Sequence, residues 1–453
     1  MDRRLTTIFC NAYPQIHMPM TQRFVTSRQG RILSLMLLIG LLPGCALWNH
    51  DIEQETPRQK TVVDAEPHNF LLDGQNSVIG RLASVPLQDG DTLLDIARHF
   101  GLGYQHITEA NPNLDPWVPQ QDARAILPLQ FILPDAPRKG VVINLASMRL
   151  FYYPEGKQTM FSTWPIGIGK EGRSTPVGVM AIQRKKERPT WYVPASIRRT
   201  HEQQGDPLPA VVPPGPDNPL GDYAFYLSKP SYLIHGTNKP FSIGLRASNG
   251  CIRLYPEDIT LAFREIPPQT AVRVVNQPYL LGWLDGQLYL EAHQPYEELD
   301  AKHEKKKLLV ELQRIAKSQP HKLDWPKIEE TIEHARGIPT PIFGQSESLE
   351  QRLVKAIQLG RPAQLAGQAK PSEPVVNGWL LRTAETFDEY RARKLAAQLN
   401  HLGPRIPAVT VAGNQGYHVI AGPFIQERVA RKAQLMLNID FETKSELIKP
   451  TKS

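Results

Sequence analysis

Two short stretches decide the fold and the chemistry of this chain: Ile234-His235-Gly236-Thr237 and Ser248-Asn249-Gly250-Cys251-Ile252-Arg253-Leu254. Taken singly, an isolated cysteine is usually a small buried hydrophobe and a strand histidine a structural group. Together they favour nucleophilic catalysis, because a thiol needs a nearby base to become a thiolate near neutral pH. Glycines beside both residues let a substrate approach the backbone closely. The pattern therefore predicts Cys251 as nucleophile and His235 as its base.

The residues around the cysteine suggest how a reacting carbonyl would be held. Ser248-Asn249-Gly250 makes a tight turn into Cys251, so the backbone N–H groups of Gly250 and Cys251 could point at the oxygen of a tetrahedral intermediate. Arg253 carries a cation suited to a substrate carboxylate, although a structural salt bridge fits its position equally well.

His-Gly-Thr followed by Ser-x-Gly-Cys-Ile-Arg-Leu resembles the catalytic motif of the L,D-transpeptidases of the YkuD type. The segments Gly167-Ile168-Gly169 and Ser174-Thr175-Pro176-Val177-Gly178 are also typical of that family. The resemblance places a mostly-β catalytic domain at 139–276. Asn249 departs from the family pattern, in which a second histidine usually precedes Gly-Cys, but the family attributes the base to the upstream histidine, here His235.

The resemblance implies a role for each motif residue. The expected catalytic residues are Cys251 as nucleophile, His235 as proton donor and acceptor, and Gly236, Ser248 and Gly250 around them; the expected substrate-binding residues are Arg253, Asn249 and Thr237. A backbone carbonyl near Gly236 or Ser248 is expected to orient His235. No metal or cofactor is implied.

The implied reaction begins on a tetrapeptide stem of peptidoglycan. Cys251 attacks the diaminopimelate–D-Ala bond, and the acyl-enzyme passes to an amine, giving a 3→3 cross-link or the anchoring of a Braun-type lipoprotein. Water as acceptor would make the protein an L,D-carboxypeptidase or hydrolase. A non-catalytic, membrane-anchored peptidoglycan-binding scaffold is the alternative from a different class.

Residues 82–134 predict a small α+β module ahead of the catalytic domain. Leu93 to Phe100 has helical spacing of apolar residues, with Asp91 or Thr92 as its cap. A second helix near Gln105 to Ala110 stops before Asn111-Pro112, and a closing strand follows. The β-α-α-β order with its Gly-Asp-Thr start resembles a LysM module, which binds the glycan strands of peptidoglycan; a plain structural subdomain is the alternative.

Three further segments follow the catalytic domain. Residues 277–340 predict a hairpin with an Asp-Gly turn and a helical extension, and 341–374 a polar, proline-containing linker. Residues 375–453 predict an α+β unit that resembles the SPOR domain, which binds glycan strands, with a generic ferredoxin-like fold as the alternative. Trp379 and Tyr417 are its candidate glycan-stacking residues.

Within the catalytic domain, the Pro-rich insert 202–221 is expected to be a surface loop that could cover a cleft.

The N-terminus resembles an export signal. An apolar run, Ile32 to Leu42, follows arginines and ends in Leu42-Pro43-Gly44-Cys45, which resembles a bacterial lipobox. The prediction is a signal peptide at 1–44, lipidation of Cys45, a tether at 45–80 and a periplasmic protein anchored to the outer membrane. Two or three acyl chains would hold it there stably. An ordinary cleaved signal is the alternative.

Composition sets the outer limits. The 453 residues include 52 Lys+Arg and 45 Asp+Glu, a net charge of +7 that is too diffuse to imply nucleic acid, and 3 cysteines with no Cys/His cluster typical of structural zinc. If Cys10 leaves with the signal and Cys45 is acylated, Cys251 is the only thiol in an oxidising compartment. The 41 prolines mark linkers between folded modules.

Overall fold

The structure is a computed structural model that describes residues 68–450 except 73, 75, 157–159, 204–206, 298, 369–377, 387 and 402–404. The predicted signal peptide 1–44, Cys45 and the first part of the predicted tether lie outside the described residues. Within the described ranges, no helix is long and apolar enough to cross a bilayer.

The end of the predicted tether 45–80 is folded. Strand β1 (Asn69–Leu71) pairs antiparallel with the strand that contains Phe161. The Phe70 ring stacks on the Phe161 ring with centroids 5.6 Å apart. The tether prediction is therefore wrong for these residues, because their apolar side chains are used in packing.

The N-terminal module has the β-α-α-β order that the sequence predicts. Its elements are β2 (Val78–Gly80), β3 (Ala83–Pro86), α1 (Leu93–His99), α2 (Tyr104–Ala110), β4 (Arg124–Leu127) and β5 (Gln130–Ile132). Strands β3 and β4 pair antiparallel. Of the two predicted helix caps, Thr92 is the one observed: its hydroxyl accepts the Asp95 N–H at 3.1 Å.

The start of α2 is fixed to the central domain. The Tyr104 N–H donates to the Ile243 carbonyl at 2.9 Å, and the backbones of Gly103 and Gly244 approach so closely that a Cβ on Gly103 would lie 2.8 Å from the Gly244 Cα. Gly244 also has a φ of +82°, which favours glycine. The module is therefore held against the central domain by direct backbone contact.

The central domain is mostly β, as predicted. Its elements are β6 (Gly140–Asn144), β7 (Arg149–Tyr153), β8 (Met160–Pro165), β9 (Ile168–Gly169), β10 (Gly178–Glu187), β11 (Trp191–Tyr192), α3 (Ala195–Gln203), β12 (Val211–Val212), β13 (Tyr223–Leu227), β14 (Leu233–His235), a 3-10 turn (Pro240–Ser242), β15 (Arg246–Ser248), β16 (Ile252–Arg253), α4 (Pro256–Glu265) and β17 (Ala271–Val275). The main sheet runs β1-β8-β7-β6-β17-β10-β13-β14-β16. The core includes side chains from these strands and from α4.

An extension follows. Its elements are β18 (Tyr279–Leu284), β19 (Gln287–Ala292), α5 (Ala301–Ser318), α6 (Trp325–His334), β20 (Thr340–Pro341), α7 (Leu349–Val354) and β21 (Ile357–Gln358). The Asp-Gly turn between β18 and β19 forms as predicted, with φ of +50° at Asp285 and +77° at Gly286.

The predicted linker 341–374 is wrong up to residue 368. Strand β21 pairs parallel with β3, and Leu365 is buried in the core of the N-terminal module. The Arg361 guanidinium lies 2.5 Å from the carboxylate of buried Asp91. A polar, proline-containing segment thus folds here because a few apolar side chains and one ion pair fix it to a surface far away in the sequence.

The C-terminal domain consists of a sheet and two helices. Its elements are β22 (Trp379–Thr383), α8 (Glu389–His401), β23 (Ala408–Ala412), β24 (Tyr417–Phe424), α9 (Glu427–Asp440) and β25 (Ser445–Ile448). The sheet order is β23-β24-β22-β25. Its core is formed by the inward side chains of the sheet and by alanines and leucines of the helices.

Helix α8 contacts the N-terminal module through opposite charges. The Lys394 ammonium lies 2.7 Å from the Asp115 carboxylate, which also accepts the Tyr390 hydroxyl at 2.6 Å. His401 Nε2 lies 3.0 Å from the Asp95 carboxylate. The C-terminal domain, expected to be a separate unit, is thus attached through its first helix.

Candidate active site

The register of two adjacent strands brings the predicted residues together. Strands β14 and β16 pair parallel, with Ile234 opposite Ile252 and His235 opposite Arg253. Both isoleucines are buried in the core. Because side chains alternate along a strand, His235 and Arg253 point to the other face, and Cys251, two residues before Arg253, is directed the same way. Neighbouring strands lie roughly 4.8 Å apart, so the three side chains share one small region.

His235 is held as a neutral base. Its Nδ1 lies 2.6 Å from the Gly236 carbonyl, and because a carbonyl only accepts, Nδ1 carries the proton and Nε2 keeps its lone pair. The family resemblance implied that a carbonyl near Gly236 or Ser248 orients His235. Burial, together with the Arg253 cation, lowers the pKa of His235 to about 3, against the hydrogen bonds to the Gly236 and Leu220 carbonyls.

Cys251 is half-buried, and its Sγ–H donates to the Ser231 carbonyl at 3.6 Å. Burial raises the pKa of the Cys251 thiol, while a hydrogen bond from the Leu233 backbone and the Arg253 cation oppose the rise. At neutral pH the resting pair is therefore a thiol and a neutral imidazole.

Arg253 forms no salt bridge within the part of the chain that the structure describes. Its buried Nε finds no hydrogen-bond acceptor in the part of the chain that the structure describes. Burial lowers the pKa of Arg253, and the charge of Cys251 opposes the shift. The structural salt bridge that the sequence left open is not observed among the described residues, which favours a substrate carboxylate as partner.

Ser248 fixes the nucleophile turn. Its hydroxyl donates to the Cys251 carbonyl at 2.5 Å and accepts the Gly250 N–H at 3.1 Å. The predicted use of the Gly250 N–H toward an oxyanion is therefore wrong in this conformation, because Ser248 already occupies it. Gly250 instead has a φ of +106°, and a Cβ there would lie 2.8 Å from the Tyr232 ring. Glycine is required for the turn.

Thr175 belongs to the site and was not singled out from the sequence. Its hydroxyl donates to the Gly250 carbonyl at 3.0 Å and accepts the Gly169 N–H at the same distance. The only available signal was its place in the Ser174-Thr175-Pro176 segment.

Two predicted substrate-binding residues have different surroundings. Thr237 is buried, and its hydroxyl accepts the Lys239 N–H at 2.9 Å, so it stabilises its own turn. Asn249 is exposed at the tip of the nucleophile turn.

The last residues of the insert 202–221 pack against the backbone that directly follows His235. The Gly221 backbone approaches so closely that a Cβ there would lie 2.8 Å from the Thr237 nitrogen. Asn218, for which no motif in the sequence gives a signal, is fully buried. Its Nδ2 donates to the carbonyls of Pro189 (2.8 Å), Val212 (3.2 Å) and Pro213 (3.1 Å), and its Oδ1 accepts the Leu220 N–H at 3.0 Å.

The predicted glycan-stacking residues are on the wrong face. Trp379 and Tyr417 pack against the core beneath the helices of the C-terminal domain. By strand alternation, Arg382 and His418 point to the opposite face. Aromatic residues in these strands serve the core because the helices supply mainly small side chains there.

The predicted lipidation residue Cys45 lies outside the described residues. In the described ranges, no group of three or more His, Cys, Asp or Glu side chains is arranged to hold a metal ion.

Two domain models match this chain, one for a catalytic domain and one for a binding domain. The L,D-transpeptidase catalytic domain model, YkuD, matches residues 138–274, and the SPOR domain model matches 376–443. A Salmonella typhimurium protein named "Probable L,D-transpeptidase ErfK/SrfK" is 40% identical over 281 residues, which is 61% of this chain and 89% of the relative. The chain belongs to the L,D-transpeptidase family.

Two relatives from Escherichia coli K12 are also named as probable L,D-transpeptidases. "Probable L,D-transpeptidase YbiS" is 39% identical over 272 residues, covering 59% of this chain and 87% of the relative. "Probable L,D-transpeptidase YcfS" is 44% identical over 215 residues, covering 46% and 67%. The two matched domains of this L,D-transpeptidase imply peptidoglycan as its binding partner.

Proposed function

We propose that this L,D-transpeptidase joins peptidoglycan stem peptides to an amine acceptor through Cys251, with His235 transferring protons. The observation that supports the proposal is the pairing of β14 with β16, since it directs His235, Cys251 and Arg253 to one face. The neutral state of both reacting groups favours a general-base mechanism, because the imidazole can accept the thiol proton as the bond to carbon forms.

The acylation step uses the groups in order. His235 Nε2 takes the thiol proton, and Cys251 Sγ attacks the carbonyl at the L-centre of diaminopimelate in a tetrapeptide stem. The tetrahedral intermediate breaks its C–N bond, and His235 returns the proton to the amine of the departing D-alanine. A thioester on Cys251 remains. Arg253 assists by favouring the thiolate and by pairing with a stem carboxylate.

The acceptor then resolves the thioester. An amine attacks the thioester carbonyl, His235 removes its proton, and the Cys251 thiol is regenerated. The side-chain amine of a second diaminopimelate would give a 3→3 cross-link, and a lysine ε-amine would anchor a Braun-type envelope lipoprotein. Thr237 and Asn249 remain proposed contacts for the stem peptide, Asn249 from the rim of the site.

The flanking domains would raise the local concentration of substrate. We propose that the LysM-like module at 82–134 and the SPOR domain bind glycan strands of the same polymer, so that two weak contacts act by avidity. Lipidation of Cys45 would place the protein in the periplasm at the outer membrane.

The decisive experiment incubates the purified protein with disaccharide-tetrapeptide, with and without an added lysine-bearing acceptor peptide, and reads the products by mass spectrometry. Wild type is expected to release D-alanine and form cross-linked dimers, while Cys251→Ala and His235→Gln lose both. His106→Gln is the matched control, since His106 is another buried histidine and is hydrogen-bonded to backbone groups of Gly103 and Ser147.

The products separate the competing functions. Loss of D-alanine without any amine adduct would make the protein a carboxypeptidase. No reaction in wild type, with binding to sacculi retained, would favour a scaffold and contradict the proposal.

A further inference from the structure

We propose that Thr175 is a positioning residue for acylation: its hydroxyl fixes the Gly250–Cys251 peptide so that the Cys251 N–H faces the oxygen of the reacting carbonyl. This inference rests on the proposed nucleophilic role of Cys251.

The hydrogen bonds of Thr175 have only one possible direction. The Gly169 N–H can only donate and the Gly250 carbonyl can only accept, both at 3.0 Å from the Thr175 Oγ1. The single hydroxyl proton must therefore lie on the line to Gly250. Thr175 is 5% exposed, so water does not compete readily for either bond. The side chain thus joins the strand end at Gly169 to the nucleophile turn.

Fixing the Gly250 carbonyl also fixes the N–H of the next residue. In a trans peptide the C=O and N–H of one unit point in opposite directions. The Cys251 N–H consequently points away from Thr175. In the described part of the chain this N–H has no acceptor, whereas the Arg253 N–H donates to the Gly167 carbonyl at 2.9 Å. A donor left without a partner beside a nucleophilic sulfur is placed to bind an oxyanion.

Other contacts of the turn do not replace Thr175. Ser248 holds the Gly250 N–H and the Cys251 carbonyl, which belong to the peptide units on either side. The Lys170 N–H donates to the Ser248 carbonyl at 2.9 Å, one unit further away. With φ of +106° at Gly250, the intervening peptide has the freedom of a glycine and needs its own restraint.

The variant Thr175→Val keeps the shape of the side chain and removes both hydrogen bonds. Loss of one oxyanion donor costs about 10²–10³ in rate, so misorientation of one is expected to slow acylation of Cys251 by roughly 10- to 100-fold. Thr175→Ser keeps the hydroxyl and should acylate at nearly the wild-type rate. Thr163→Val is the control: Thr163 is also buried, and its hydroxyl donates to the Leu150 carbonyl at 2.8 Å in the β7–β8 pair.

Three readouts on the whole protein test the proposal. They are the acylation rate with disaccharide-tetrapeptide, the acylation burst with p-nitrophenyl acetate, and the pH profile of Cys251 alkylation by iodoacetamide. Thr175→Val should slow both acylations and leave the alkylation profile unchanged, because alkylation forms no oxyanion. Thr163→Val should change none of them, even if its melting temperature falls as much.

Defined outcomes would overturn the inference. If Thr175→Val acylates at the wild-type rate, Thr175 has no role in positioning the oxyanion donor. The same conclusion follows if the rates of acylation and alkylation fall equally. If Thr175→Val does not fold, Thr175→Ala is compared with Thr175→Ser by the same criteria. If the wild-type protein reacts with p-nitrophenyl acetate but not with the tetrapeptide, the proposed function is contradicted. The reaction with the nitrophenyl ester still tests the role of Thr175 in that case.

Discussion

Arg253 is the register partner of His235 across β14 and β16, so a cation without a carboxylate partner among the described residues lies beside a buried imidazole. The same charge affects both reacting groups: it lowers the pKa of His235 and opposes the rise in the pKa of Cys251. The Arg253 cation therefore disfavours protonation of His235 and favours loss of the proton from Cys251. A substrate carboxylate that pairs with Arg253 would screen its charge and make His235 a stronger base.

Replacing the cation should therefore move the thiol titration. In Arg253→Gln the pKa of Cys251 is expected to rise, because the opposing positive charge is gone, and the midpoint of iodoacetamide alkylation against pH should move to higher pH. Arg253→Lys keeps the charge and should stay near wild type. An unchanged profile in Arg253→Gln would show that the cation does not act on the sulfur.

Asn218 should determine the order of the segment before the base. Asn218→Leu removes the donors to three carbonyls, which costs about 1–3 kcal/mol at the buried Pro189 carbonyl and less at the partly buried carbonyls of Val212 and Pro213. We expect faster amide hydrogen exchange in 189–221 and a raised KM, with little change in exchange elsewhere. Asn238→Leu is the comparison, since Asn238 makes a single bond to the Pro216 carbonyl at 3.2 Å. Equal protection in both variants would contradict the prediction.

His293 should make stability depend on alkaline pH. It is buried between Glu291 (2.8 Å) and Glu109 (3.4 Å), and these carboxylates raise its pKa to about 9 despite burial. A raised pKa stabilises the fold fully below about 6.5, and the contribution is lost as pH rises through about 9.

The free energy of unfolding should consequently fall by on the order of 2–3 kcal/mol between about pH 6 and pH 10. Urea denaturation measures it, and His293→Gln should be less stable at pH 6 and lose little more at pH 10. The same alkaline loss in wild type and variant would assign it to other groups.

Charge reversal at Lys394 should detach α8 from the N-terminal module. Lys394→Glu places a carboxylate against Asp115, and limited proteolysis should release the C-terminal domain faster. Arg428→Glu on α9 carries the same charge change as a control. Detachment should also grow as pH rises, because Asp95 raises the pKa of His401 and the ion pair is lost when the histidine deprotonates. Equal cleavage of both variants would mean that the charge pairs contribute little.

Local sequence determined much of this protein. The cap at Thr92 and the Asp285-Gly286 turn follow from backbone preferences of neighbouring residues. The motif that contains His235, Cys251 and Arg253 sufficed to predict the chemistry because its residue types and their order along the chain are typical of one family, although it is the pairing of β14 with β16 that brings the three residues together. The family and the SPOR domain were evident from motifs for the same reason.

Tertiary structure alone decided what depends on distant partners. Thr175 lies 75 residues from Gly250, and no local pattern announces that its hydroxyl will reach that carbonyl. Strand alternation defines two faces, but only the position of α8 and α9 decides that Trp379 and Tyr417 face the core. Likewise β21 and Leu365 look like linker until the N-terminal module offers them a strand edge and an apolar gap. Burial and register are properties of the assembled chain, and they determined which predicted groups could act.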